Sequence, residues 1–269
     1  MANPARFRDV ADISSHYAAD TPVMLVLSAP QGVTNDLVAL VSAAQQGGDW
    51  QAALDSLQAR FEALIIDADP ALPEYERHAL LQAARDQVQV LADYAKGIAL
   101  LQHCPDPVQA RMLGTGEQFS VALMTASLKA RGLDAGALDA TRLVKSQGDY
   151  LNASADIPAT IAAFTERKAQ GLPRISVMAG FVSGLPHGET ALLGRNGSDY
   201  SAAIIAAGCK AEVCEIWADV DGAYSADPRQ VTADGVSAAA QDRPVEELRP
   251  AAQRRRLRAS RFSSVATNM

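Results

Sequence analysis

Apolar residues along the chain switch between helical spacing and short unbroken runs. Phe7, Val10, Ala11, Ile13 and Ser14 mark one helical face behind Pro4, which suits a first helical turn. Val23 to Leu27 is a continuous apolar run between Pro22 and Pro30, the pattern of a strand buried on both faces. Helical spacing resumes at Thr34 with Leu37, Val38 and Val41 and stops at Gly47-Gly48. Residues 50–101 keep that period almost throughout, and Pro70 and Pro73 divide them into two long helices. A further helix is expected from Glu117 to about Arg131, closed by Gly132, and another near 158–169. Arg174 to Phe181, Thr190 to Leu193 and Val213 to Trp217 read as three more buried strands, with a compact apolar helix at 200–207 before the last. Strands alternating with helices predict an α/β domain with a mostly parallel sheet. Beyond Val231 the periodicity fails, and residues 232–269 contain no strand-like run.

Composition sharpens this in two places. A chain of 269 residues, 48% hydrophobic and 20% charged, can bury a full core. Its net charge of −7 argues against a general nucleic-acid binder. The last forty residues carry seven of the 24 Lys and Arg but four of the 31 Asp and Glu, a balance of +3 against −10 for the rest. An Arg/Ala/Ser-rich tail, disordered or out of frame, is therefore expected at 232–269. Cys104, Cys209 and Cys214 follow no framework spacing and read as free thiols. No apolar run reaches the roughly 18 to 20 residues of a membrane span, so the expectation is a cytoplasmic protein without membrane or nucleic-acid partners.

Candidate chemistry gathers in four segments. Phosphate-loop, dinucleotide, zinc-protease and nucleophile-elbow signatures are absent. Leu193 to Ala203 ends a strand in Gly194-Arg195-Asn196-Gly197 and opens a helix at Ser198 or Asp199. Close backbone approach, free amides and a guanidinium fork suit an anion there, while a plain capped loop is the alternative. Leu27 to Asn35 places Ser28 and Thr34 after a strand, where ligands bind in open α/β sheets; an ordinary turn with Thr34 as helix cap is the other reading. Gly114-Thr115-Gly116-Glu117 opens a helix with a carboxylate, for a ligand or merely for the helix dipole. Trp217 to Arg229 carries Asp219, Asp221, Tyr224 and Arg229, and Asp219 with Asp221 could hold a hard cation or form an acidic turn. Cys209 and Cys214 read as small packed hydrophobes, and His16, His78, His103 and His187 as surface residues.

Together these segments resemble aspartate kinase of the amino-acid kinase family, most of all the kinase portion of the bifunctional aspartokinase/homoserine dehydrogenases. The matching stretches are V-L-S-A-P at 26–30, T-N-D-L at 34–37, G-E at 116–117, L-L-G-R-N-G-S-D-Y-S-A-A at 192–203 and I-W-A-D-V-D-G-A-Y-S-A-D-P-R at 216–229. The resemblance runs from about residue 2 to residue 231. It implies a three-layer α/β/α sandwich, incomplete at both ends, that moves the γ-phosphate of Mg-ATP to the side-chain carboxylate of L-aspartate, giving 4-phospho-L-aspartate for lysine, threonine and methionine synthesis. That acceptor, with a pKa near 3.9, is ionised at neutral pH and needs no general base, so cations and aligned donors should carry catalysis.

By position, the resemblance makes Arg195 the grip on the substrate α-carboxylate and Glu117 the partner of its ammonium, with Thr34 and Ser198 completing the pocket. Ser28 and Asp199 fall at the transferring phosphoryl group and its cations. Asp219, Tyr224 and Arg229 fall along the nucleotide, and Ala218 replaces the family's usual hydroxyl residue. The family's K-F-G-G-T-S-V strand and loop has no counterpart ahead of Ala2-Asn3 and Phe7, which is expected if the true start lies upstream. The family's segments after Arg229, among them its regulatory domains, have none either. Family oligomers are implied. The contrary expectations are an inactive remnant, with negligible kinase activity for the chain as it stands, and a kinase for another amino acid.

Overall fold

The computed structural model describes residues 3–194, 197–218 and 253–258. Helix α1 (Pro4–Asp20) starts as its sequence dictates: Pro4 stands in the first turn and the Asn3 side chain accepts the Arg6 N–H at 3.2 Å. Strand β1 (Val23–Leu27) follows, then a helical block of α2 (Val33–Gln46), α3 (Trp50–Asp67) and α4 (Glu74–Leu101). The Arg77 guanidinium ties the α3–α4 corner by donating to the carbonyls of Ile65, Ile66, Asp69 and Leu72. Next come α5 (Asp106–Leu113), α6 (Thr115–Ala130), β2 (Ala135–Leu138), α7 (Ala140–Leu143) and the hairpin of β3 (Ser146–Asp149) and β4 (Asn152–Ala155). After α8 (Ile157–Ala169) the chain forms β5 (Ile175–Ala179), β6 (Val182–Gly184), β7 (Thr190–Leu192), α9 (Gly197–Cys209), β8 (Val213–Ala218) and β9 (Gln253–Arg258).

The central sheet is parallel in the order β1-β5-β2. Leu27 pairs with Ala179 and Leu138 with Met178, so all three strands end together at one edge. Every residue of β5 is buried, which requires cover on both faces of the sheet. Helices α1, α6 and α9 pack on it. The core continues into the helical block, where Phe61 of α3 stacks on Phe119 of α6 at 4.1 Å between ring centres.

All four predicted strands are present, but only β1 and β5 belong to the parallel sheet. The run at 190–192 pairs antiparallel with β6 instead. The third parallel strand, β2, is Ala-Gly-Ala-Leu, too short and too small to show as an apolar run. The expectation of no strand beyond residue 231 is corrected: β9 pairs antiparallel with β8, Arg258 opposite Val213 and Gln253 opposite Ala218. Pairing at a strand edge uses backbone groups alone, so hydrophobic periodicity does not reveal it. Among the described residues no helix is long and apolar enough to cross a membrane.

Candidate active site

The site begins where β1 and β5 part. The Gly180 N–H donates to the Leu27 carbonyl at 2.9 Å, one step past the last paired residues. Ser28-Ala29-Pro30 and Gly180-Phe181 then diverge at the carboxyl edge of the sheet, where open α/β sheets take their ligands.

Helix α6 enters against the first of these segments. A Cβ on Gly116 would lie 2.7 Å from the Ala29 Cβ and 2.9 Å from the Val33 Cγ1, so only glycine permits this approach. The approach brings Glu117 to the turn at 3% exposure. Burial raises its carboxyl from 4.5 to about 7, against the opposing pull of its own backbone N–H and that of Ala29. Its Oε2 atom has no hydrogen-bond partner among the described residues. A buried carboxylate oxygen left open costs free energy unless a ligand completes it.

Helix α9 closes the other side. A Cβ on Gly180 would stand 3.0 Å from the Cα, Cβ and Oγ of Ser198, which therefore lies directly on the β5 terminus. The Ser201 hydroxyl fixes this junction, accepting the Phe181 N–H at 2.8 Å and donating to the Gly197 carbonyl at 2.5 Å. Phe181 has φ +63°, a conformation a bulky residue adopts only under constraint, and its carbonyl accepts the Leu193 N–H at 2.8 Å.

The structure thus brings Ser28, Glu117 and Ser198 around one edge. Thr34, half-buried in the first turn of α2, follows on the same β1–α2 turn. It does not cap that helix; Gly32, at φ +84°, does so without a side-chain bond. Asp199 is exposed in the first turn of α9. Arg195, Asp219, Tyr224 and Arg229 lie outside the described residues. Gly180 and Phe181 are not singled out in the sequence, although their place after a buried strand, where ligands bind, is a usable signal, and Ser201 lies in the 192–203 stretch without a role assigned to it.

Elsewhere the expectations of inert residues agree with the structure. All four histidines are exposed, and burial pushes the thiols of Cys209 and Cys214 up to about 11, which keeps them protonated. Among the described residues no three His, Cys, Asp or Glu side chains converge as a metal site. A groove of about 310 Å³ between Tyr94, Arg111, Gln118 and Thr190 includes none of the predicted site residues.

Comparison with known proteins places this geometry. The bifunctional aspartokinase/homoserine dehydrogenase of Haemophilus influenzae is 34% identical over 234 residues, covering 86% of this chain and 28% of that protein. The lysine-sensitive aspartokinase 3 of Escherichia coli is 33% identical over 216 residues, covering 78% of this chain and 45% of that protein. The crystal structure of E. coli aspartokinase III in complex with aspartate and ADP superposes with a TM-score of 0.74 at 26% identity, over 88% of this chain and 51% of that one. The chain therefore spans about half or less of the length of these relatives. The fold expected from the motifs, an α/β sandwich built on a parallel sheet, is the fold of that structure. The family match extends over residues 1–242, past the last recognised motif, and the chain belongs to the amino acid kinase family.

Proposed function

We propose that the chain supplies the amino-acid site of an aspartate kinase, which transfers the γ-phosphoryl group of ATP to the side-chain carboxylate of L-aspartate. The observation that carries this reading is the open oxygen of buried Glu117 at the carboxyl edge of the sheet. A cationic ammonium is the group that such an oxygen lacks, and pairing would offset the burial that raises its pKa. The E. coli relative holds aspartate and ADP, which supports the same ligand pair here.

The residues divide the work. Glu117 binds the ammonium, while Thr34, Ser198 and Arg195 orient the rest of the amino acid so that its side-chain carboxylate faces the phosphoryl donor. That carboxylate is ionised at neutral pH, so its oxygen forms the new bond to phosphorus as the bond to the departing ADP oxygen breaks, with no proton to remove. Ser28 and the first turn of α9 present an OH group and backbone amides to the negative charge being moved. Bound ATP would supply that phosphoryl group, with Asp219, Tyr224 and Arg229 along the nucleotide. Asp199 would hold a magnesium ion accompanying ATP, which would supply positive charge to the transferring phosphates.

Titration calorimetry with L-aspartate, followed by an ATP- and aspartate-dependent hydroxamate assay, tests the reading. The expected result is aspartate binding in preference to glutamate, lost in Glu117→Gln. Equal binding by the variant, or preference for another amino acid, overturns it.

A further inference from the structure

The β1–α2 turn, which carries Ser28 and Thr34, is held from two sides. On one side stands Gly116, the neighbour of Glu117. On the other stands Arg60 of α3, which the motifs do not include. Its Nη1 donates to the Gln31 carbonyl at 2.9 Å, and its Nη2 stands 3.1 Å from Asp36 Oδ2 in the first turn of α2, a charge pair without hydrogen-bond alignment. Gly32 lies between these two contacts at φ +84°, and a Cβ there would come within 2.9 Å of Arg60 Nη1. The guanidinium occupies the space of the missing side chain and spans the turn, hydrogen-bonded to its carbonyl and charge-paired with its carboxylate.

Resting on the aspartate kinase reading, we propose that Arg60 is a positioning residue that fixes the turn at 28–36 in the shape that binds the amino-acid substrate. It touches no reacting group itself. The Arg60 and Asp36 side chains are 41% and 34% exposed. A pair so wetted contributes little to global stability. Site geometry is more demanding, since small misplacements of binding groups are felt strongly. Loss of Arg60 should therefore separate binding from stability.

The test compares wild type, Arg60→Ala, Arg60→Lys and Asp36→Asn by calorimetry with L-aspartate, by thermal melting and by hydrogen exchange of peptides covering 28–36. Arg60→Ala is expected to weaken aspartate binding about tenfold and speed exchange in the turn, with Tm nearly unchanged. Arg60→Lys should recover part of the affinity by keeping one contact, and Asp36→Asn should lose less than Arg60→Ala because the Gln31 contact remains. Wild-type affinity and exchange in Arg60→Ala overturn the proposal, as does a loss of affinity that merely follows a large fall in Tm. If the wild type binds no aspartate, the kinase reading fails, and exchange alone then decides whether Arg60 fixes the turn.

Discussion

Ala29, in the turn after β1, meets Glu117 in the first turn of α6, where the Ala29 backbone N–H pulls the pKa of the buried Glu117 carboxyl down. Burial outweighs this pull and that of Glu117's own N–H, and the carboxyl titrates at about 7 rather than 4.5. A substrate ammonium needs the ionised form, so in the free protein a proton must leave before the pair can form. Aspartate affinity is expected to rise with pH through about 7 and level off above it. Below pH 7 binding should release a proton, measurable as a dependence of calorimetric heat on the ionisation enthalpy of the buffer. Affinity flat from pH 5.5 to 8.5 contradicts this assignment.

The same group sets a pH dependence of stability with the opposite sense. The folded state holds the Glu117 proton more tightly than the unfolded state, so the favourable contribution is complete below about 4.5 and declines as pH rises. It is lost above about 7. The free protein at pH 8 therefore bears a cost of about 3 kcal/mol for the buried charge. Glu117→Gln should raise the midpoint of urea unfolding at pH 8 while leaving it nearly unchanged at pH 4.5. A variant destabilised equally at both pH values would show that the carboxylate is structurally satisfied.

What the sequence made legible follows from which physical signals are local. Val23–Leu27 and Ile175–Ala179 announced themselves because strands buried on both faces must be apolar throughout. Ser28, Glu117 and Ser198 are candidates picked out by motif, and the structure gathers them at one edge because β1 and β5 end in register. The strand Ala135–Leu138 stayed hidden because small residues against Pro173 leave no hydrophobic signature. Arg60 stayed hidden for another reason. It acts at residues 24 to 29 positions away along the chain, through a turn whose geometry no periodicity encodes.

The close approach of α6 makes Gly116 a packing probe. Gly116→Ala would put a methyl group 2.7 Å from the Ala29 Cβ and 2.9 Å from the Val33 Cγ1, both side chains without freedom to swing away. The α6 terminus or the β1–α2 turn must move. Overpacking of this kind costs about 1 to 3 kcal/mol. Urea unfolding should show that loss, and aspartate affinity should fall with it because Glu117 and Thr34 sit on the two displaced segments. By contrast Gly132→Ala meets nothing within 4 Å, and its cost should come only from φ +77°.

Arg131 tests the difference between a buried and an exposed ion pair within one protein. Its Nε donates to Asp69 Oδ2 at 2.7 Å and its Nη1 to Asp12 Oδ1 at 2.5 Å, tying the end of α6 to the α3–α4 corner and to α1. Asp69 is 3% exposed, and its other oxygen accepts the Ala71 N–H at 2.9 Å. Arg131→Ala would leave the Asp69 carboxylate buried without its cation, a loss that costs about 3 to 5 kcal/mol. Arg6→Ala removes the Arg6–Asp9 pair, whose side chains are 32% and 33% exposed, and should cost less than about 1 kcal/mol. Urea unfolding of both variants measures the two costs side by side. The contrast should persist in 0.5 M salt, because screening acts on the wetted pair and little on the buried one. If Arg131→Ala were as mild as Arg6→Ala, water would have to reach Asp69, and the α1–α6 junction would be looser than its packing indicates.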